Sequence, residues 1–476
     1  MNDPVRDSVT QTLSGSWAPS GSRPIELVFR TGGERTSKLA LQLALAHIKP
    51  GRAHLVRDAT PWRPAMRWML GTDRRCSHVV SVAANCLIRE DLRPFLDANE
   101  LPFVGCYGHD RFRGRTHCGV HIMRIDVVRA MCTIPEPVDN LAYMLSPDEY
   151  LHRAALHQLG FQRVFKTFHI LSDYFQRSHD IFTTYALRGL RNRTLPEKKH
   201  LDTSISDSGE GVDFDVARHA LDHVASAVPP DATPRQVERY IRDLPYLAQT
   251  EVRKLDVGPG QDEQLGIEEV DKAEAGDPAN LGQSPKKFKV FGVGLSRTGT
   301  HSLTEALHVL GFDTMHYPTD RATLETLVRG DVRFPLLEYY DGITDITCSP
   351  YYEDLDLAWP GSKFVLTVRD EDSWLRSCRD HWAGLSTFEY GEGEERRIYM
   401  EVRRFLEAAV YSTYEFHEEH FRRIYRRHVR NVTSYFEGRE CDLLVFNVVA
   451  GDGYDRLAPF LGLPVPKQPF PTLRYF

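Results

Sequence analysis

The stretch from Phe288 to Gly311 constrains the fold more than any other part of the chain. Residues 288–291 have the apolar character of a short buried strand, and residues 292–300 form a loop of small residues around one cation, Arg297. From Ser302 onward, apolar residues recur at helical spacing until Gly311, which is expected to end the helix. A strand, a Gly-rich loop and a helix in this order direct backbone N–H groups towards one point, which suits a phosphate.

Two common phosphate-binding loops do not fit this stretch. Gly294 and Gly299 have the spacing of the P-loop of nucleoside triphosphatases, but Thr300 and His301 stand where that loop needs Lys and Ser or Thr. The dinucleotide fingerprint G-x-G-x-x-G also fails, because Arg297 occupies the third glycine position. The stretch is therefore a loop whose cation, Arg297, lies within the loop itself. An ordinary Gly-rich turn between a strand and a helix is the alternative at this point.

A second candidate anion site follows further along the chain. Residues 363–368 read as a buried strand that ends in Arg369, and a helix is predicted to begin near Asp372 or Ser373. Ser377 follows Arg369 by eight residues. A guanidinium at a strand end can fork onto phosphate oxygens, and a hydroxyl in the next helix can add a hydrogen bond. A surface ion pair for Arg369 and a solvated position for Ser377 are the alternatives, but the combination favours binding.

The loop and the Arg369–Ser377 pair together resemble the sulfotransferases that use 3′-phosphoadenosine 5′-phosphosulfate (PAPS). This resemblance extends from about residue 288 to about residue 472. It implies a three-layer α/β, P-loop-like domain with a parallel sheet and PAPS as co-substrate. It also implies that Arg297 meets the bridging oxygen and the sulfuryl group, and that Arg369 and Ser377 bind the 3′-phosphate. The other implied PAPS contacts are Ser296, Thr298, Gly299, Thr300, His301 and Ser302.

Sulfuryl transfer also requires a base, because the acceptor loses a proton as it attacks. The family places a His or a carboxylate before the 3′-phosphate arginine, and the resemblance assigns this role first to Asp345. Asp345 lies in a short alternating run, Ile-Thr-Asp-Ile-Thr, and a cap at a turn or helix is its alternative role. His316 and His301 are the next candidates, and His301 could instead contact only phosphate.

The N-terminal half alternates short apolar strands (residues 25–29, 53–56 and 78–82) with helical patterns, which predicts an α/β domain with a mostly parallel sheet. It resembles the nucleotide-diphospho-sugar transferases of the GT-A fold. The resemblance rests on the first strand and its Arg-Thr-Gly-Gly loop, on residues 78–88 and 112–124, and on a predicted helical stretch at 169–188. That stretch contains His169, Asp173, Gln176, His179 and Asp180.

The N-terminal half departs from that family where a metal is expected. Ala83 and Asn85 stand in place of the two aspartates of the Asp-x-Asp motif. A divalent cation on a diphosphate prefers charged oxygen ligands, which these residues do not supply. The sequence therefore predicts no metal site. The domain either acts on a sugar nucleotide without metal or has lost transfer chemistry and serves as a scaffold or acceptor-binding module.

Length and composition set the remaining limits. A chain of 476 residues predicts two domains, and a net charge of −7 gives no general attraction to nucleic acid. The scattered cysteines, the polar N-terminus and the lack of a long apolar run predict a cytoplasmic protein, of bacterial type, without a membrane span. The predicted organisation is a flexible tail (1–23), a GT-A-like domain, active or inactive (24–254), an acidic linker (255–286) and a sulfotransferase domain (287–476).

These features predict a sulfotransferase that moves a sulfuryl group from PAPS to a hydroxyl or amine of a carbohydrate-containing acceptor, either a small molecule or a glycan. A bifunctional glycosyltransferase and sulfotransferase is one alternative. A P-loop kinase, or a nucleotide-binding module without sulfuryl transfer, is the other. The sequence identifies neither the acceptor nor the oligomeric state.

Overall fold

The computed structural model describes residues 10–471, apart from 14, 16, 58–74, 162, 193–204, 206–210, 256–264, 276–287, 385–392 and 467–468. The chain divides into two compact units, Met1–Ala273 and Glu274–Phe476. Much of the predicted linker, and residues 1–9 of the predicted tail, lie outside the described residues. Residues 265–275, which the linker was predicted to include, are described and contain the helix Ile267–Ala275. The predicted domain boundaries themselves stay a prediction.

The first unit is built on an eight-stranded sheet. Its strands are β1 (Thr10–Leu13), β2 (Ile25–Thr31), β3 (Arg52–Arg57), β4 (His78–Ala83), β5 (Cys86–Ile88), β6 (Phe103–Asp110), β7 (Gly114–Arg124) and β8 (Val164–Ser172). The described helices are α1 (Ser37–Ile48), α2 (Arg93–Ala98), α3 (Ile125–Thr133), α4 (Leu141–Leu145), α5 (Pro147–Leu159), α6 (Ser178–Arg191), α7 (Val212–Ala227), α8 (Pro234–Lys254) and α9 (Ile267–Ala275).

This sheet is mixed, so the prediction of a mostly parallel sheet was wrong. The strand order is β1-β3-β2-β4-β7-β6-β8-β5. β2 runs parallel to β3 and β4, and β6 runs parallel to β8, whereas the other neighbouring strands are antiparallel. The physical reason lies at residues 111–113, where a short connection joins β6 to β7. Such a connection can only return the chain antiparallel to the strand it leaves.

Two further predictions for this unit are corrected. Residues 10–13 belong to the predicted flexible tail but form β1, which pairs antiparallel with β3 at one edge of the sheet. The predicted helical stretch 169–188 begins instead with the end of β8, which lies between β6 and β5. Asp173 and Phe175 then adopt positive φ values of 60° and 58°, which turn the chain before α6 starts at Ser178. In both cases pairing with distant strands decides the conformation, and the local pattern of apolar residues does not indicate it.

The second unit is built on a five-stranded sheet in which every pairing is parallel. Its strands are β9 (Val290–Gly292), β10 (Thr314–His316), β11 (Gly342–Thr344), β12 (Lys363–Thr367) and β13 (Leu443–Phe446). Its described helices are α10 (Thr300–Val309), α11 (Arg321–Val328), α12 (Tyr352–Ala358), α13 (Glu371–Gly384), α14 (Gly393–Tyr411), α15 (Glu418–Tyr435) and α16 (Tyr454–Phe460). The strand order is β10-β11-β9-β12-β13.

Both faces of the central strands of this sheet, β9 and β12, are buried. Adjacent residues of β9 show this, because Phe291 packs into one apolar cluster with α13, α14 and α15, and Val290 packs into another with α10 and α16. Phe364 and Val365 of β12 divide between the same two clusters. Burial on both faces explains why these strands are short, nearly continuous apolar runs without alternation. It also fixes β9 at the centre of the sheet.

Candidate active site

The loop after β9 has a conformation that only particular residues allow. A Cβ on Gly294 would lie 1.8 Å from Oγ1 of Thr367, so this position requires glycine for the close approach of β12. Gly299 has φ of 102°, in the left-handed region. The helix after the loop starts at Thr300, two residues before the predicted start at Ser302. Thr300 thus lies at the helix N-terminus, where backbone N–H groups lack helical partners.

The parallel strands bring the predicted site residues to one edge of the sheet. The loop follows β9, His316 ends β10, Asp345 follows β11, and Arg369 follows β12 closely. All these strands point the same way, so their carboxyl ends meet where the loop lies. This is the edge at which open α/β sheets bind ligands.

Asp345 contacts the loop directly. Its Oδ1 accepts hydrogen bonds from Oγ of Ser296 (2.8 Å) and from the backbone N–H of Ile346 (2.6 Å), and its Oδ2 accepts from Oγ1 of Thr300 (3.0 Å). Nε2 of His316 lies 3.4 Å from the same Oδ2. Asp345 is 6% exposed and has φ of 77°. The sequence correctly placed this carboxylate beside the loop, and its hydrogen bonds favour a role in holding the loop.

Arg297 and the Arg369–Ser377 pair converge on each other. Nε of Arg297 donates to Oγ of Ser377 (3.1 Å), and Nη1 of Arg369 donates to the backbone carbonyl of Arg297 (3.3 Å). Nε of Arg369 donates to Oγ of Ser373 (2.9 Å), a hydroxyl that the sequence analysis did not select. Burial, and then the neighbouring Arg297 cation, lower the pKa of Arg369. An anion bound beside both cations would relieve the repulsion between them.

The helix that carries Ser373 and Ser377 begins slightly earlier than predicted. α13 starts at Glu371, and Oδ1 of Asp370 accepts the backbone N–H of Ser373 at 2.9 Å. This is the hydrogen bond of an N-cap aspartate, which ends the preceding strand segment and starts the helix. Because Asp370 sets the first turn, Ser373, Ser377 and His381 recur on one face of α13, one turn apart.

A set of buried aromatic residues, which the sequence did not predict, forms hydrogen bonds to the backbone of the loop and of Arg369. Nε1 of Trp374 donates to the carbonyl of Ser296 (2.9 Å), and the hydroxyl of Tyr411 accepts the N–H of Ser296 (3.2 Å). The hydroxyl of Tyr425 accepts the N–H of Arg369 (2.9 Å). Trp374 and Tyr411 are fully buried. These rings lie far from the loop in sequence, so only the fold brings their polar atoms to it.

Two histidines lie on the β10 side of the loop. The rings of His301 and His316 are 4.8 Å apart. Burial and the neighbouring His316 lower the pKa of His301 to about 4, and burial lowers the pKa of His316. Nδ1 of His316 lies 3.1 Å from Oγ1 of Thr344. Both rings are therefore neutral at pH 7, and both ring nitrogens of His316 have partners in the protein.

A third histidine, His381, lies on the opposite side and was not predicted. It is one helical turn after Ser377 on α13, and its ring is partly exposed. Burial, followed by the Arg297 cation, lowers the pKa of His381 to about 4, with Arg403 acting in the same direction and Asp345 opposing it. A sequence signal was present, because His381 continues the spacing of Ser373 and Ser377.

A comparison with known protein families gives a match within this unit. Residues 289–474 match the family model for the sulfotransferase domain. The resemblance to sulfotransferases is confirmed for this region. We refer to it below as the sulfotransferase domain, and the match supports a transferase.

Two single matches accompany the family model. A curated protein of Aspergillus versicolor, Ava biosynthesis cluster protein M, is 25% identical over an alignment of 224 residues, and the match covers 39% of this chain and 80% of that protein. A crystal structure from Bacillus anthracis, described as a candidate glucose-1-phosphate thymidylyltransferase in complex with a sucrose, matches with a TM-score of 0.21 and 10% identity. It covers 40% of this chain and 79% of that one. A TM-score this low supports no conclusion about the fold or activity of either unit.

Outside the sulfotransferase domain, the residues predicted for a sugar-nucleotide site form an internally paired network. Nδ2 of Asn85 donates to Asp173 (2.6 Å), and Nη2 of Arg188 bridges the buried carboxylates of Asp173 and Asp110. Burial raises the pKa of Asp173, opposed by the Arg188 cation. Gln176 donates from Nε2 to Oγ1 of Thr36, His179 lies against Asp180, and His169 donates its backbone N–H to Glu90.

The Gly-Gly loop after β2 already holds a carboxylate. Oε2 of Glu34 accepts the backbone N–H of Gly32 (2.9 Å) and Oγ of Ser37 (3.0 Å), and the hydroxyl of Thr31 lies 2.8 Å away. This places a negative charge at the N-terminus of α1, where the helix dipole favours an anion. The loop therefore satisfies its own donors with a residue of the chain.

The described residues contain neither a metal-binding cluster nor a membrane-spanning helix. Within them, no group of three or more His, Cys, Asp or Glu side chains could hold a metal ion. Ala83 ends β4, and Asn85 is bonded to Asp173 as described above. None of the described helices has both the length and the apolar character needed to cross a bilayer. The prediction that the N-terminal unit works without metal stays a prediction.

Proposed function

We propose that this chain is a PAPS-dependent sulfotransferase that transfers a sulfuryl group to a hydroxyl or amine. One observation carries the proposal. Arg297 contacts both Ser377 and Arg369 beside a Gly-rich loop at the carboxyl edge of a parallel sheet, in a region that matches the sulfotransferase family. The predicted P-loop-like, three-layer domain supplies the helix N-terminus that would receive the 5′-phosphosulfate.

The side chains divide into binding and supporting groups. Arg297 is placed to neutralise charge that develops on the bridging oxygen as the S–O bond breaks, and Arg369 and Ser377 would bind the 3′-phosphate. The hydroxyls of Ser296 and Thr300 already donate to Asp345. The hydroxyl of Thr298 donates to the carbonyl of Leu295. In this proposal these hydroxyls shape the loop, while Gly299, Thr300, His301 and Ser302 present their backbone N–H groups to the donor.

Two observations bear on the identity of the acceptor. A carbohydrate-containing acceptor follows only from the sugar-nucleotide resemblance of the N-terminal half. The name of the Aspergillus relative refers to a biosynthesis cluster, which supports a small-molecule acceptor for this chain. A bifunctional enzyme would require the N-terminal unit to bind a sugar nucleotide, and the Glu34 carboxylate in its loop argues against this. A cytoplasmic location stays a prediction.

The proposed function is tested with labelled PAPS and a panel of phenols, amines, sugars and glycans, alongside labelled ATP. We expect transfer of label from PAPS to at least one member and no turnover of ATP. Turnover of ATP without use of PAPS would support the kinase alternative. Tight binding of adenosine 3′,5′-bisphosphate without transfer to any acceptor would support a nucleotide-binding module.

Arg369→Ala is expected to weaken binding of adenosine 3′,5′-bisphosphate by about 10- to 100-fold. Hydrogen bonds to a charged phosphate contribute roughly 1.5–3 kcal/mol, and the substitution removes the guanidinium while leaving the backbone N–H bond to Tyr425 in place. Calorimetric titration measures this. Adenosine 5′-monophosphate, which lacks the 3′-phosphate, is the matched ligand and should lose little affinity. Equal losses for both ligands would mean that Arg369 acts through the fold and not through the 3′-phosphate.

The N-terminal unit is expected to bind sugar nucleotides no better when Mg²⁺ or Mn²⁺ is added. Ala83 and Asn85 cannot replace two carboxylate ligands, and Arg188 neutralises the nearby Asp110 and Asp173. Titration of the full chain with UDP-glucose and dTDP-glucose, with and without each metal, measures this. A large metal-dependent gain in affinity would show that the Asp-x-Asp position has been assigned to the wrong residues.

A further inference from the structure

We infer that His381 is a catalytic residue that contacts the acceptor and takes its proton during sulfuryl transfer. This rests on the proposed function. Ser373, Ser377 and His381 occupy one face of α13, and the first two reach the guanidinium groups of Arg369 and Arg297. The next residue on this face therefore lies beyond the sulfuryl end of the donor, because the donor's 3′-phosphate is at Arg369 and its sulfuryl group is at Arg297.

Two other candidate bases, Asp345 and His316, already have partners within the protein. Asp345 accepts hydrogen bonds from Ser296, Thr300 and Ile346, so both of its carboxylate oxygens are engaged in holding the loop. His316 faces Thr344 with one ring nitrogen and Asp345 with the other. By contrast, no hydrogen bond within the described part of the chain involves the ring of His381. The ring contacts Trp382 edge to face, with centroids 5.1 Å apart.

The charges around His381 keep it neutral before the donor binds. Burial lowers its pKa to about 4, Arg297 and Arg403 add to this effect, and Asp345 acts against it. A neutral imidazole can accept a proton at pH 7. A bound donor brings phosphate and sulfonate anions to Arg297, which offsets these cations and raises the pKa of His381 towards neutrality. The donor thereby makes the base stronger at the moment when it is needed.

The step balances without a further reactant. The acceptor O–H or N–H gives its proton to a ring nitrogen of His381 while its lone pair forms a bond to the sulfur of PAPS. The bond between sulfur and the bridging oxygen breaks, and adenosine 3′,5′-bisphosphate leaves with the electron pair. Arg297 stabilises the leaving oxygen. The imidazolium then releases its proton to solvent.

The experiment compares His381→Gln with the wild-type full chain on two acceptors, phenol and 4-nitrophenol, using labelled PAPS at mildly alkaline pH. Phenol has a pKa of about 10 and needs a base, whereas 4-nitrophenol is largely ionised and does not. We expect His381→Gln to lower kcat about 10²- to 10⁴-fold with phenol and far less with 4-nitrophenol. Affinity for adenosine 3′,5′-bisphosphate should stay within twofold. His417→Gln, at an exposed position of the same unit, is the control variant.

The pH profile gives a second measurement. Because only neutral His381 accepts a proton, wild-type kcat should fall as pH drops through the pKa of His381 in the donor complex, and His381→Gln should lack this fall. If His381→Gln turned over at the wild-type rate, or lost kcat equally on both phenols, the assignment would be overturned. Loss of nucleotide affinity in the variant would overturn it as well, since the residue would then act through the fold. No transfer by the wild-type chain to any panel acceptor would instead refute the proposed function, and the role of His381 with it.

Discussion

Arg297→Ala is expected to lower the turnover of sulfuryl transfer by about 10²- to 10³-fold while changing the affinity for adenosine 3′,5′-bisphosphate much less. The guanidinium meets charge that develops only as the bond to the leaving oxygen breaks, so its loss affects the transition state more than the bound donor. The contact from Arg369 to residue 297 goes to the backbone carbonyl and is retained in the variant. Steady-state kinetics with PAPS and calorimetry with adenosine 3′,5′-bisphosphate separate the two effects.

Arg297→Lys is the matched control. Residue 297 has φ of 72°, so lysine and alanine face the same backbone strain, and only the side-chain charge differs between the variants. Lysine should keep a substantial part of the turnover because it restores a cation near the bridging oxygen. If Arg297→Ala turned over at the wild-type rate, Arg297 would have no role in the transfer step. Equally low turnover in both variants would mean that the loop geometry, and not the charge, is the cause.

Asp345→Ala is expected to destabilise the sulfotransferase domain by about 3 kcal/mol or more. The substitution leaves two hydroxyls and the N–H of Ile346 without their acceptor in a buried setting. It also places alanine at φ of 77°, a conformation that Asp and Asn tolerate better. Chemical denaturation measures the loss. Faster hydrogen exchange of the amides in residues 293–300 would show that the loop is released locally.

The variant Asp345→Asn distinguishes two roles of Asp345, holding the loop and accepting a proton. Asparagine tolerates the left-handed backbone and keeps one oxygen for Ser296 and Ile346, but it cannot act as a base. If Asp345 mainly holds the loop, Asp345→Asn should retain nucleotide binding and a large part of the turnover. Intact binding with almost no transfer would return the role of general base to Asp345, as the sequence first predicted, and would count against His381.

The sequence singled out the residues that the fold brings together around the loop because their determinants are local. Small residues around Arg297, the strand before them and the helix after them lie within one short stretch, and Arg369 and Ser377 are separated by a fixed spacing in a second. Each pattern follows from the geometry of a strand that leads into a helix. Asp345 could also be placed beside the loop, because its strand ends at the same edge of the sheet.

What the sequence did not reveal depends on contacts between distant residues. Trp374 and Tyr411 bond to Ser296 across 78 and 115 positions, and a buried aromatic residue reads in sequence as ordinary core. The end of β8, residues 169–172, was misread as helix because residues 170–172 are all buried and so show no alternation. The positive φ values of Arg297 and Asp345 are likewise imposed by tertiary contacts, since neither residue type requires them.

The short strand β1 bears on how copies of this chain behave towards one another. It covers one side of β3, whose central residues Ala53, Leu55 and Val56 are buried. Without β1, the outermost strand of the sheet would be an apolar segment with unpaired backbone groups, which is the usual starting point for edge-to-edge aggregation. Residues 10–13 thus pair the edge of β3 as well as completing the sheet. A tag or deletion that disturbs them would change self-association before it changed any catalytic property.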